Sequence, residues 1–218
     1  MAQLSDIIEE INENLSQQNS ARDEALRVSR GLIRMCSRAI RAAHREEWDQ
    51  AAVQLSEAKK EAHSLIDNLS NFPDLYYSGY TQDALKEYVE AHLTIAFIRD
   101  EPLPSPKELG VEPATYLSGL VEATTELRRR ILDIIRHKHS DEAERLLEVM
   151  DSVYGEMITL DFPDAITQGL RRRTDVLRGV LERTRGDLTN SLRQQRLQKA
   201  IHDLEFRLGE RESTSGEQ

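Results

Sequence analysis

Ala25-Leu26-Arg27-Val28-Ser29-Arg30-Gly31-Leu32-Ile33-Arg34-Met35-Cys36-Ser37-Arg38-Ala39-Ile40-Arg41-Ala42-Ala43-His44-Arg45 is the stretch that decides the fold class. Sorted by heptad position, it gives a basic column of Arg27, Arg34 and Arg41. The columns beside it on the helical wheel are Arg30, Ser37, His44 and Gly31, Arg38, Arg45. At 100° per residue these three columns cover about 100° of the circumference, and the other four are apolar or small. The segment is therefore an amphipathic helix with six arginines (Arg27, Arg30, Arg34, Arg38, Arg41, Arg45) on one face and no acid among them. Solvated helix faces ordinarily mix signs, because i,i+4 pairs of opposite charge help the helix and like charges cost it. The face thus calls for an anionic partner, either phosphates, which suit the bidentate guanidinium, or acids of another helix such as Glu57, Glu61 or Asp67.

Outward from this stretch the same periodicity continues. Helical blocks are expected over about Leu4–Arg45 with a break near Ser20, Asp49–Leu69, Gln82–Arg99, Ala114–His137, Ser140 to before Phe162-Pro163, and Leu170–Leu208. Ser140 reads as an N-cap followed by the acids Asp141 and Glu142. Loops are expected from Asn71 to Tyr80 and through the Pro-rich segment from Glu101 to Pro113. No run of period-2 alternation and no internal repeat is present. The class is all-α, one helical domain over residues 1–209, with a disordered polar tail over 210–218. The six prolines and ten glycines of the 218 residues are too few and too clustered to interrupt such blocks.

The single cysteine, Cys36, forbids an internal disulfide and fits a reducing, cytoplasmic setting. It falls in an apolar column, which favours the core over a nucleophile. No stretch approaches the roughly 20 apolar residues of a membrane span. The acidic first ten residues do not look like a secretion signal. The net charge of −10 argues against nucleic acid globally, but a sum can hide a basic face.

Two pairs of carboxylates stand beside apolar stripes. Glu87 and Glu90 are at i,i+3, and Glu122 and Glu126 at i,i+4. Carboxylates near a core must be paired or bind a cation, and oxygen ligands from two helices suit Mg²⁺ or Mn²⁺. By spacing alone, ordinary ion pairs with nearby arginines are the simpler reading. The pattern does not fit a typical di-iron centre, since no histidine has Glu three positions before it. No P-loop, HExxH, GxSxG or zinc-spaced Cys/His pattern occurs.

The stretch Leu85-Lys86-Glu87-Tyr88-Val89-Glu90-Ala91 resembles the EYVEA segment of the TRAX branch of the translin/TRAX family. Tyr116-Leu117-Ser118-Gly119-Leu120-Val121-Glu122-Ala123-Thr124-Thr125-Glu126-Leu127 is similar to that family's YLLGVADLTGEL segment. Leu170-Arg171-Arg172-Arg173-Thr174-Asp175-Val176-Leu177 is similar to the start of its last long helix, and Ala25–Arg30 matches in type. The resemblance covers residues 20 to 190. It implies a bundle of about seven mostly long helices, closed homo-octameric barrels, and binding of RNA or single-stranded DNA. In the TRAX branch it implies a Mg²⁺-dependent endoribonuclease. Glu87 and Glu90 match that branch's two catalytic, metal-holding glutamates. Glu122 stands where it has an aspartate, and Glu126 matches its downstream glutamate. Thr125 replaces a glycine. As one chain carrying both sets of features, the protein resembles the homomeric type. Against this endoribonuclease reading stand two others, a non-catalytic RNA- or single-stranded-DNA-binding protein of the same fold and a helical scaffold.

Overall fold

The computed structural model describes residues 2–136 and 141–215. Among them there is no strand, and the helices are α1 (Ala2–His44), α2 (Trp48–Asn68), α3 (Pro73–Tyr76), α4 (Gly79–Arg99), α5 (Pro106–Leu109), α6 (Pro113–Ile135), α7 (Asp141–Met157), α8 (Asp164–Thr167) and α9 (Leu170–Ser215). Six are long and three are single turns, close to the expected helical bundle. Ser140, the expected cap, and the last three residues of the tail lie outside the described residues.

Four boundaries differ from expectation, and one is the end of the chain's last helix, which runs to Ser215 and makes residues 210–215 helical where a disordered tail is expected. No break occurs near Ser20: its hydroxyl donates to the Ser16 carbonyl, 2.9 Å away, inside a continuous α1. A serine that bonds back to the preceding turn is tolerated in a helix. The Pro-rich loop contains the short helix α5, built by a capping box in which Ser105 and Glu108 satisfy each other's backbone N–H, with Pro106 opening the helix. Gly110, at φ 70°, closes it in the left-handed region that glycine adopts without cost. The loop before α4 likewise holds α3, whose Leu75 carbonyl accepts from the Thr81 hydroxyl at 2.8 Å.

The chain divides into two compact units. The first comprises residues 1–123 with 161–173, and the second 124–160 with 174–218.

In the first unit α4 is apolar on nearly all sides. Leu85, Tyr88, Val89, Ala91, Leu93 and the run Ile95–Ile98 are all buried. Such a helix must be enclosed, and α1, α2 and α3 pack on it. The apolar columns of α1 supply Ala25, Val28, Leu32, Cys36, Ala39 and Ala43 to that interior. Opposite them α2 presents Ala51, Ala58, Ala62 and Leu65, three of the four small enough to let the helices approach closely. α1 ends where Glu46 turns left-handed (φ 62°), with the Glu47 N–H reaching back to the Ala42 carbonyl at 2.9 Å. The first turns of α1 behave differently: Leu4, Ile7, Ile8, Ile11 and Leu15 form an exposed stripe at helical spacing.

The second unit buries Leu127 and Ile131 of α6, Ala143, Leu146 and Met150 of α7, and Leu177, Leu181 and Leu188 of α9. Arg128 donates to the Thr184 hydroxyl at 3.1 Å and pairs with Asp187 at 2.8 Å, while Arg130 meets Glu142 at 2.8 Å. The triplet Arg128–Arg130 is thus used partly inside its own unit.

Candidate metal centre

The site is built from α4 and the first turns of α6, both in the first unit. Two features fix the register of these helices. Gln82 on α4 accepts from the Thr115 hydroxyl on α6 and donates to the Tyr76 carbonyl at 2.7 Å. One turn further, Gly119 of α6 faces α4 so closely that a Cβ there would stand 2.7 Å from both Cβ and Cγ1 of Val89 and 2.9 Å from the Lys86 carbonyl oxygen. Only glycine permits this approach.

Glu122 lies one turn beyond Gly119, and Glu87 and Glu90 flank Val89. Carboxylate oxygens of Glu87, Glu90 and Glu122 all lie within 4.8 Å of one another. Glu90 is buried, and the other two are half-buried. Glu126, on the next turn of α6, is outside this group. The i,i+3 pair on α4 is therefore brought against Glu122, while Glu126 belongs to the part of α6 that enters the second unit.

Two cations that the sequence did not single out for this place touch the cluster. The Lys86 ammonium is 2.7 Å from Glu122 Oε2 and 3.4 Å from Glu87 Oε1, and only 14% of its side chain is exposed. Burial opposes its charge, but Glu122 and then Glu87 and Asp83 outweigh that and hold the ammonium above its usual range. Arg173 Nη1 donates to Glu122 Oε1 at 3.1 Å, and the buried Arg173 Nε has no hydrogen-bond partner. Each oxygen of Glu122 thus meets its own cation. Neighbours in sequence on a helix do not face each other, so nothing in the Lys86-Glu87 dipeptide announces a lysine that reaches across to α6. Arg173 belongs to the run Arg171–Arg173, whose consecutive positions point to different sides of a helix.

Cys36 lies beside the same cluster. Burial first, and then the charges of Glu87 and Glu90, push its thiol far up, so it is a buried neutral thiol rather than a nucleophile. Burial also pushes the neighbouring Tyr88 phenol up to about 12. Tyr88 meets His92 edge-on, with centroids 4.7 Å apart. Burial, and then the Lys59 ammonium, hold His92 down at about 4.

All six arginines of the basic face are exposed. Arg27 is paired with Glu24, and Arg45 is 4.0 Å from Glu47, both acids lying just outside the acid-free stretch. Arg30, Arg34, Arg38 and Arg41 have no acid within ion-pair distance among the described residues. Glu57, Glu61 and Asp67, the acids that a scaffold would use, likewise form no ion pair with any of the six. The arginine column and Cys36 are about 200° apart on α1, so the face points away from the side of α1 that meets the glutamates. No helix among the described residues is long and apolar enough to cross a membrane.

No family model matches the chain. It is 30% identical over 199 residues to the uncharacterized protein MJ0175 of Methanocaldococcus jannaschii, which covers 90% of this chain and 87% of that one. Among solved structures it is similar to AfC3PO in complex with duplex RNA, at a TM-score of 0.78 and 32% identity, covering 84% of this chain and 95% of the other. The structure of AfC3PO determined separately gives 0.77 at 31% identity, with 84% and 96% covered. The fold is shared with apo-NeC3PO at a TM-score of 0.75 and 22% identity, again with 84% and 96% covered.

Proposed function

The chain belongs to the C3PO family of translin-like all-α proteins, and from that membership we propose that it is a metal-dependent endoribonuclease that binds RNA as a closed homo-oligomer. The observation that carries the reading is the meeting of Glu87, Glu90 and Glu122 from two helices. Carboxylate oxygens of three residues gathered within 4.8 Å of one another could together hold one divalent ion. An all-oxygen, anionic donor set suits Mg²⁺ or Mn²⁺ and not a soft metal. Glu87, Glu90 and Glu122 are the proposed ligands, and Glu126 is the residue that the family resemblance assigns to the fourth place. A bound divalent ion would polarise a phosphoryl oxygen and lower the pKa of a water. The chain's own work is to hold the carboxylates converged through Gly119 and Val89, and to offer Lys86 and Arg173 as cations at the same place.

RNA binding is supported by the four unpaired arginines of α1 and by the duplex RNA held by AfC3PO. Backbone contacts of this kind tolerate sequence and weaken with salt. Self-association, for which an octamer is the family's implication, is supported by the exposed stripe Leu4, Ile7, Ile8, Ile11 and Leu15, more contiguous apolar surface than scattered exposure accounts for.

A second reading, RNA binding without hydrolysis, is favoured by the ion pairs that already occupy both oxygens of Glu122. One experiment decides between them. A short RNA is incubated with the protein in Mg²⁺, in EDTA, and in Mg²⁺ with Glu90→Gln. Hydrolysis is expected only in the first. Cleavage that persists with Glu90→Gln at the wild-type rate defeats the site, and binding with no cleavage in any arm establishes the second reading.

A further inference from the structure

We propose that Lys86 is a built-in counter-cation of the carboxylate centre, occupying it in the metal-free protein and transferring to a phosphate of bound RNA when a divalent ion takes its place. This rests on the metal-centre reading above.

The starting point is the double occupation of Glu122. Its Oε1 accepts from Arg173 at 3.1 Å and its Oε2 from Lys86 at 2.7 Å, with Lys86 also 3.4 Å from Glu87. A divalent ion seated among Glu87, Glu90 and Glu122 would share an oxygen of Glu122 with one of these cations, and the two positive charges would compete there. Lys86 and Arg173 are not equivalent. A guanidinium is planar, directional and set by its own fork, whereas a lysine ammonium is a point charge on a flexible four-carbon stem. Lys86 also bridges two of the three proposed ligands, so it is the one that stands in the ion's way.

Charge points the same way. A divalent ion added among these carboxylates would repel the Lys86 ammonium, whose side chain is only 14% exposed and poorly screened. Lys86 therefore has to leave its carboxylates or lose its attraction to them. The mobile ammonium next to a metal that holds a phosphate oxygen has an anion to meet, the phosphate itself. Metal loading and phosphate binding are then coupled through one side chain, each favouring the other.

The coupling has a signature that a merely structural lysine lacks. Mn²⁺ binding is measured by electron paramagnetic resonance on the intact protein. Lys86→Met keeps length and apolar stem but removes the competing charge, and is expected to bind Mn²⁺ about tenfold tighter, a scale between the water and protein-surface limits for one unit charge at this range. Lys86→Arg keeps the charge and should stay near wild type. Affinity for a fluorescent phosphorothioate RNA duplex, which resists hydrolysis, is then measured with Mn²⁺ and with EDTA. Lys86→Met should lose about fivefold with Mn²⁺, the scale of one charged contact, and little with EDTA. Circular dichroism checks that both variants are folded. Unchanged or weaker Mn²⁺ binding by a folded Lys86→Met overturns the inference while leaving the metal centre standing. An equal loss of RNA affinity in Mn²⁺ and EDTA overturns the transfer to phosphate. Absence of Mn²⁺ binding in the wild type and in both variants overturns the metal centre, and the inference with it.

Discussion

Gly119→Ala tests whether close approach of α6 to α4 creates the carboxylate centre. An added Cβ would meet Val89 Cβ and Cγ1 at 2.7 Å and the Lys86 carbonyl oxygen at 2.9 Å. Carbon atoms rest at about 3.5–4.0 Å, so the shortfall is close to 1 Å. A rotamer change of Val89 does not relieve it. Its Cβ is fixed by the backbone, and valine has one strongly preferred rotamer in a helix. The helices must therefore separate by much of that distance. Overpacking of this kind costs about 1–3 kcal/mol, offset by up to about 1 kcal/mol because alanine is the better helix former. A net loss of about 1–2 kcal/mol is expected, a fall in Tm of several degrees. Glu122 lies three residues on, about 4.5 Å along the axis, so it moves with Gly119. The Lys86–Glu122 contact of 2.7 Å then passes the hydrogen-bond limit, and the three-carboxylate group opens. Mn²⁺ affinity should fall by about tenfold or more, since the ion requires near-ideal ligand distances. Thermal melts by circular dichroism, with and without Mn²⁺, give both quantities. Gly186→Ala on α9, where an added Cβ meets nothing within 4 Å, is the control and should raise stability. A Gly119→Ala protein that is more stable than wild type, by the alanine gain alone, with unchanged Mn²⁺ affinity, would refute the reasoning.

Three further outcomes follow from the same structure. Arg34→Ala and Arg41→Ala, exposed and unpaired, should weaken RNA binding for all sequences alike and leave Tm within about 1 °C; each should also make the slope of log affinity against log salt shallower by about 0.7–0.9 per RNA-contacting copy, and salt slopes that match wild type would move the RNA surface elsewhere. His92 is held at about 4 against an ordinary 6.5, so the unfolded chain binds its proton first as pH falls. Its contribution is complete above pH 6.5 and is lost down to about pH 4, by at most about 3 kcal/mol; urea titrations of wild type and His92→Gln should converge on this pH interval, and parallel curves would show that His92 does not titrate this way. Ile8→Glu with Ile11→Glu, on the exposed stripe of α1, should shift the particle seen by light scattering towards the 25.0 kDa monomer with the helical spectrum intact, whereas an unchanged particle would assign assembly to another surface.

Spacing along one helix was legible without coordinates, because 100° per residue places side chains on a face whatever the helix later packs against. That is why the arginine face of α1, the apolar columns carrying Leu32 and Cys36, and the partnership of Glu87 with Glu90 read directly from the chain. The same local physics hid the short helices α3 and α5, since a single turn that opens on a proline carries no periodicity to detect. Ser20 looked like a break because serine favours caps, and it is instead absorbed by bonding to its own helix. What one helix brings to another is a different matter. That Glu122 joins the α4 pair while Glu126 does not depends on the register of α6 against α4, which Gly119 and the Thr115–Gln82 hydrogen bond set through contact distances. The cations on Glu122 came from the residue beside Glu87 and from a triplet of arginines on a distant segment, neither marked by spacing. Periodicity orders side chains around an axis, and only packing decides which axes come close enough for charges on different helices to meet.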